Sequence, residues 1–178
     1  MAGSAVGTLD WRPAAEATGL LAGPVAAVIG GLPEARVAEI DPELADTAAF
    51  CERYGVALEA SANCVIVAAK RGGEITYAAC MVLATGRADV NGVVRKHLGA
   101  RKASFAPMAE ATALTSMEYG GITPVGLPAG WPVLVDEAVA AAPLVVIGSG
   151  VRRSKVLLPG KVVADLPGAE VLALAQRG

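Results

Sequence analysis

The run Cys64-Val65-Ile66-Val67-Ala68-Ala69-Lys70-Arg71-Gly72-Gly73-Glu74-Ile75-Thr76-Tyr77-Ala78-Ala79-Cys80-Met81-Val82-Leu83-Ala84 holds two apolar segments around a glycine turn. Two strand-length apolar runs joined in this way are the pattern of a β-hairpin. A hairpin makes neighbouring strands antiparallel, so a sheet built on it is not purely parallel. Lys70 and Arg71 fall at the turn and read as solvated charges without a catalytic role.

Working outward, strands and short helices interleave on both sides. Downstream, Asp89 is placed to cap a helix from about Val90 to Leu98, closed by Gly99. His97 shares one face of that helix with Val90, Val93, Val94 and Leu98, and so reads as a packed or half-buried residue rather than a ligand or base. Arg101–Phe105 is a short strand, Met108–Tyr119 a helix, Pro132–Val135 and Leu144–Ile147 buried strands, Asp136–Ala142 a helix, and Lys155–Leu158 a strand. Upstream, Arg36–Ile40 alternates like a strand, and Ala45–Tyr54 is helical and ended by Gly55. Val25–Ile29 and Pro13–Ala17 read as short helices, and Met1–Leu9 as a mobile terminus. The expected class is a mixed α/β (α+β) domain.

Composition narrows the function classes. The chain has 178 residues, 54% hydrophobic and 18% charged, enough for a buried core. Only 4% are aromatic, so the core is aliphatic. A net charge of −2 without a dense basic block argues against a broad nucleic-acid surface, while leaving room for a small basic site. Cys51, Cys64 and Cys80 are widely spaced and His97 is the lone histidine, so no metal and no other cofactor is expected. Gly19–Leu32, the most lipid-like segment, is too short to span a bilayer, and the start lacks a basic leader region; a cytoplasmic location is expected.

Two glycine-rich loops border buried strands: Gly120-Gly121-Ile122-Thr123-Pro124-Val125-Gly126 and Gly148-Ser149-Gly150. Adjacent glycines let a ligand approach the backbone closely, and Pro124 stiffens the loop. Exposed amides in such a loop can hold a carbonyl or phosphate oxygen. A plain tight turn satisfies the same residues, so both readings stand at this point.

From about Ala45 onward the chain resembles the YbaK/ProX-type aminoacyl-tRNA deacylases, the prolyl-tRNA-synthetase-associated editing domain. The resemblance is carried by the hairpin Cys64–Ala84, by Ala88-Asp89-Val90-Asn91 with the helix after it, and by Gly99-Ala100-Arg101-Lys102-Ala103. Met117-Glu118-Tyr119-Gly120-Gly121-Ile122-Thr123-Pro124-Val125-Gly126, Val133-Leu134-Val135-Asp136 and Ile147-Gly148-Ser149-Gly150 complete it. Residues 1–35 stand apart as a partly helical N-terminal extension to an editing domain over 36–178.

The resemblance implies a central, largely antiparallel, barrel-like sheet with short helices around it. It also implies hydrolysis of the ester joining a wrong amino acid to the terminal adenosine of a tRNA, with a prolyl-tRNA synthetase as a further candidate partner. It places Gly120 and Gly121 at the substrate carbonyl, Thr123 and Pro124 in the pocket wall, and Gly148, Ser149 and Gly150 facing the same pocket. The family's lysine at the start of the first hairpin strand corresponds here to Asn63, next to Cys64. Asn63 can hydrogen-bond a ribose or phosphate oxygen but brings no charge. Arg152, Arg153 and Lys155 are the cations that could supply one from the far loop; a solvated basic turn accounts for all three equally well. Cys64 lies in an apolar strand and reads as an inert thiol more readily than a nucleophile. Two functions follow: a trans-editing deacylase acting on tRNA-Pro that carries a small amino acid such as Cys or Ala, or a module that binds a tRNA 3′ end, aminoacyl-adenosine or another small ligand without turnover.

Overall fold

The computed structural model describes residues 5–176. In chain order its strands are β1 (Arg12–Pro13), β2 (Arg36–Glu39), β3 (Ala62–Arg71), β4 (Glu74–Leu83), β5 (Arg87–Ala88), β6 (Lys102–Phe105), β7 (Val133–Asp136), β8 (Val145–Gly148), β9 (Ser154–Leu158), β10 (Ala169–Leu172) and β11 (Ala175–Gln176). The α-helices are α1 (Gly23–Val28), α2 (Thr47–Tyr54), α3 (Arg95–His97), α4 (Met108–Thr115), α5 (Glu137–Ala141) and α6 (Gly160–Ala164).

The expected hairpin forms between β3 and β4, with Val65 opposite Cys80 and Lys70 opposite Ile75. Gly72 and Gly73 turn it at φ of 57° and 84°, angles that side-chain-bearing residues rarely adopt. β6 runs antiparallel to β3 and β7 parallel to β4, giving a mixed sheet in the order β10-β7-β4-β3-β6. A second sheet, β1-β2-β9-β8, is antiparallel throughout, and β11 and β5 form a small antiparallel pair. An isolated bridge between Ser61 and Val146 links the two larger sheets. Among the described residues the pairings trace no closed ring.

Side-chain alternation explains the layering. Val145, Ile147, Val156 and Leu158 of one sheet meet Ile66, Ala79, Met81, Val133 and Val135 of the other in a shared core. Their chain neighbours point the opposite way. Val146 and Leu157 pack under Phe50 and Cys51 of α2, while Val67, Cys80, Val82 and Leu134 pack against Val90, Val94 and Leu174. Strands buried on both faces read as continuous apolar runs, which is why the hairpin stood out in the sequence.

Three local expectations are corrected. The helix expected to reach Tyr119 stops at Thr115, because Ser116 takes a left-handed φ of 58° and donates its N–H to the Thr112 carbonyl. The helix after Asp89 begins as a π-turn over Val90–Val94, with Asp89 accepting from the Gly92 N–H as its cap. Of Met1–Leu9, residues 1–4 lie outside the described residues, while Val6 bridges to Val56 and Thr8 donates its N–H to Tyr54. His97 is half-exposed on α3 and pairs with Glu170 of β10 at 2.8 Å. Among the described residues no helix is long and apolar enough to cross a membrane.

Candidate functional site

Where β3 begins, β8 ends and β9 begins, the three strands meet the chain just before α2. A cavity of about 460 Å³ opens there. Its walls include Asn63 and Cys64 of β3, Gly148 of β8, Lys155 of β9, Gly120 of the first glycine loop, and Ala45, Asp46 and Thr47. Phe105, Met108 and Tyr119, all exposed, also border it.

The three residues Ala45-Asp46-Thr47 each reach a different wall. The Ala45 carbonyl accepts a hydrogen bond from Lys155 Nζ at 2.9 Å. Thr47 donates its hydroxyl to Asn63 Oδ1 at 2.5 Å. Asp46 Oδ1 lies 3.6 Å from Arg152 Nη1, and a Cβ on Gly120 would come within 3.7 Å of the same carboxylate oxygen. The segment is placed from both ends. Asp41 caps the turn Pro42–Leu44 by accepting from the Glu43 N–H, and Gly55 ends α2 at a φ of 69°.

Lys155 pairs with Gly148 across β8 and with Ala38 across β2. It shares a strand face with Leu157, so its side chain runs under α2, with Nζ 5.2 Å from the centre of the Phe50 ring. Burial pulls its pKa down to about 8; the Asp46 carboxylate partly opposes that, and Arg152 adds to it. Lys155 therefore remains mainly a cation at neutral pH.

The two glycine loops meet backbone to backbone. The Gly150 N–H donates to the Gly121 carbonyl at 2.6 Å and the Glu118 N–H to the Gly150 carbonyl at 2.8 Å. A Cβ on Gly148 would lie 2.5 Å from the Gly121 oxygen, and one on Gly121 would lie 2.7 Å from the Val151 backbone. Only glycines allow this approach. Arg152 ties the arrangement down, donating from Nε to Pro42 and from Nη1 to Tyr119, while its N–H is taken by Glu118 Oε1.

Not every expected residue reaches the cavity. Gly120 lines it, and its amide has no partner among the described residues; Gly121 does not line it, and its N–H is spent on the Glu118 carbonyl. The expected pair of amides is thus reduced to one. Ser149 is fully buried, its hydroxyl held by Val151 and Ser154, and Gly150 packs against Ala22. Thr123 is fully buried, its Oγ1 without a partner among the described residues, and Pro124 lines a separate cavity. Cys64 borders the first cavity, but burial pushes its thiol well up, so it stays protonated. Thr47 and the 45–47 turn carried no sequence signal, because they read as the start of a helix. Among the described residues no three of His, Cys, Asp or Glu are grouped to hold a metal ion.

The fold has solved counterparts. A crystal structure of a candidate trans-editing enzyme for prolyl tRNA synthetase superposes with a TM-score of 0.74 at 22% identity, covering 88% of this chain and 99% of that one. A hypothetical protein superposes with a TM-score of 0.74 at 19% identity, covering 84% of this chain and 97% of that one. Likeness at such identities is likeness of fold. No curated relative matches the sequence. The family model of the aminoacyl-tRNA editing domain matches residues 41–166, a span that holds every residue placed on the cavity wall, and the chain belongs to that family.

Proposed function

We propose that this chain is a trans-editing aminoacyl-tRNA deacylase, with tRNA-Pro carrying a small amino acid such as Cys or Ala as the first substrate to examine. The observation that carries the reading is the convergence of Asn63, Gly120 and Lys155 from distant segments on one cavity. An aminoacyl ester is already activated, so the site has to orient water and meet the charge that develops. Water adds to the ester carbonyl carbon and the C=O electron pair moves onto oxygen. Collapse of that intermediate expels the ribose oxygen, which ends with the proton lost by the attacking water. The Gly120 amide is the backbone donor for the oxyanion. Thr47 occupies Asn63 Oδ1, leaving the Asn63 NH2 to donate to a ribose oxygen.

Within this reading, Asn63 and Gly120 form the reactive wall. Cys64 and Gly148 complete that wall, and Gly121, Ser149, Gly150 and Arg152 support it from behind through backbone packing and hydrogen bonds, while Thr123 and Pro124 lie away from it. Residues 1–35 form an extension that braces the second glycine loop: Ala22 donates its N–H to the Ser149 carbonyl, and the Leu20 carbonyl accepts from the Ser154 hydroxyl. A cytoplasmic location and pairing with a prolyl-tRNA synthetase fit the same role. The competing reading is a binding module without turnover, favoured by the neutral Asn63.

Loss of the ester from Ala-, Cys- and Ser-tRNA bearing the proline anticodon, followed with and without protein, decides between them. Acceleration for at least one member of the panel is expected. Measurable tRNA binding with no acceleration across the panel overturns the enzyme reading.

A further inference from the structure

We propose that Lys155 is the cavity's oxyanion-stabilising cation, entering the wall from β9 while the neutral Asn63 enters it from β3. This inference rests on the editing reading above and names the group that meets the charge on the ester carbonyl oxygen. The geometry carries it. Lys155 and Asn63 are held by residues two apart in the chain, Lys155 by the Ala45 carbonyl and Asn63 by the Thr47 hydroxyl. A Cβ on Gly120 would lie against the Arg152 guanidinium and 3.7 Å from Oδ1 of Asp46, the residue between them. The lysine head, the Asn63 amide and the Gly120 backbone are therefore gathered around one three-residue segment.

Lys155 also has capacity to spare. An ammonium has three donors, and the Ala45 carbonyl is its one hydrogen-bond acceptor among the described residues, with the Phe50 ring alongside. A buried ammonium is costly unless its surroundings complete it, and an anionic ligand would do so. The other charged and titratable groups around it are occupied or face outward. Arg152 is bonded to the Pro42 and Tyr119 carbonyls, the Asp46 side chain is largely exposed, and burial keeps the Cys51 thiol of α2 protonated. A purely structural strut between β9 and the 45–47 segment would explain the Ala45 bond alone. It would not account for the two ammonium donors that have no acceptor among the described residues, on a residue that lines the same cavity as Gly120.

Calorimetric titration of the full chain with two adenosine probes separates these roles. One carries alanine through a 3′-amide and is uncharged at the acyl centre; the other carries an anionic phosphonate there, mimicking the tetrahedral intermediate. The wild type is expected to bind the phosphonate at least about tenfold more tightly than the amide at pH 7. That preference declines as the pH rises through about 8, where Lys155 loses its charge. Lys155→Met removes the preference and leaves amide affinity within about threefold. Moving the cation in Asn63→Lys/Lys155→Met restores at least part of the preference. Equal weakening of both probes in Lys155→Met, an unchanged preference in it, or no binding of either probe to the wild type overturns the proposal. Should Lys155→Met fail to fold, the wild-type pH dependence decides, and a preference flat from pH 7 to 9.5 sinks it. A phosphonate preference without deacylation of any mischarged tRNA counts against turnover alone; deacylation without a phosphonate preference counts against Lys155 alone.

Discussion

The run Gly120–Gly126 borders two cavities of nearly equal size, about 460 Å³ and about 450 Å³. Gly120 opens on the first, and Pro124, Val125 and Gly126 on the second. The first gathers Asp46, Thr47, Asn63 and Lys155; the second is walled by Val28, Leu32, Leu127 and Trp131, with Asp165 the one charged residue lining it among the described residues. Equal volume thus comes with opposite chemistry. Ester hydrolysis needs polar groups already aimed at a developing charge, and an apolar hollow offers none. A glycine motif thus marks where backbone comes close, while the side chains opposite decide what that closeness is for.

The sharpest way to break the contrast is Gly148→Ala. Its Cβ would fall 2.5 Å from the Gly121 oxygen and displace the wall carrying Gly120. Deacylation of the best mischarged tRNA is expected to fall by at least about 100-fold, the scale of a lost oxyanion donor. An active Gly148→Ala protein would detach the glycine loops from the chemistry.

Lys155 supplies the next largest effect, in stability. Its pKa in the folded chain, about 8, lies below its ordinary 10.5. Between those values the unfolded chain binds more protons, so wild-type stability rises with pH across that window. Lys155→Met is therefore expected to be more stable than wild type at pH 7 by up to about 3 kcal/mol. The gap should close toward pH 10.5. Urea melts at pH 7 and pH 10 measure it, and a gap independent of pH would mean that the lysine is not buried as a cation.

Thr47→Val tests the Asn63 arm. Releasing the Asn63 amide should slow deacylation about tenfold while changing stability by only about 1 kcal/mol, the scale of one hydrogen bond. An unchanged rate would remove Asn63 from the reaction. Thr123→Val deletes a buried hydroxyl without a partner, so the melting temperature should hold or rise, by at most about 1 kcal/mol of stability. A clear drop would reveal a bound water or ligand at that hydroxyl. Ala129→Trp crowds the second cavity, and deacylation should stay within about twofold of wild type. A larger loss would join the two cavities into one site and end the comparison.

Much of the architecture was legible because it rests on local chemistry. The β3–β4 hairpin followed from two apolar runs around Gly72-Gly73, the α2 end from Gly55, and the helix cap from Asp89. The early stop of α4 was hidden, because Ser116 carries no signal for the left-handed angle it adopts. The site was legible only as a motif. Gly120, Gly148, Asn63 and Cys64 were placed on its walls in advance, whereas Gly121 and Ser149 proved to be packing residues behind them. Lys155 was visible as one of three cations after the second glycine loop, yet nothing local separates it from Arg152 and Arg153, which are not among the lining residues and bind the main-chain carbonyls of Tyr119 and Gly19.

The class of fold, the hairpin, the aliphatic core and the two glycine loops were readable along the chain, because turns, periodicity and burial are written in neighbouring residues. The clasp of the two loops, the engagement of the Gly121 N–H by Glu118 and the placing of Lys155 rather than the arginines on the cavity wall were not. Those outcomes depend on which face of β9 lies under α2 and on how close the Gly121 and Val151 backbones come. Such contacts join residues far apart in the chain, and their distances are set by the packing of the two sheets.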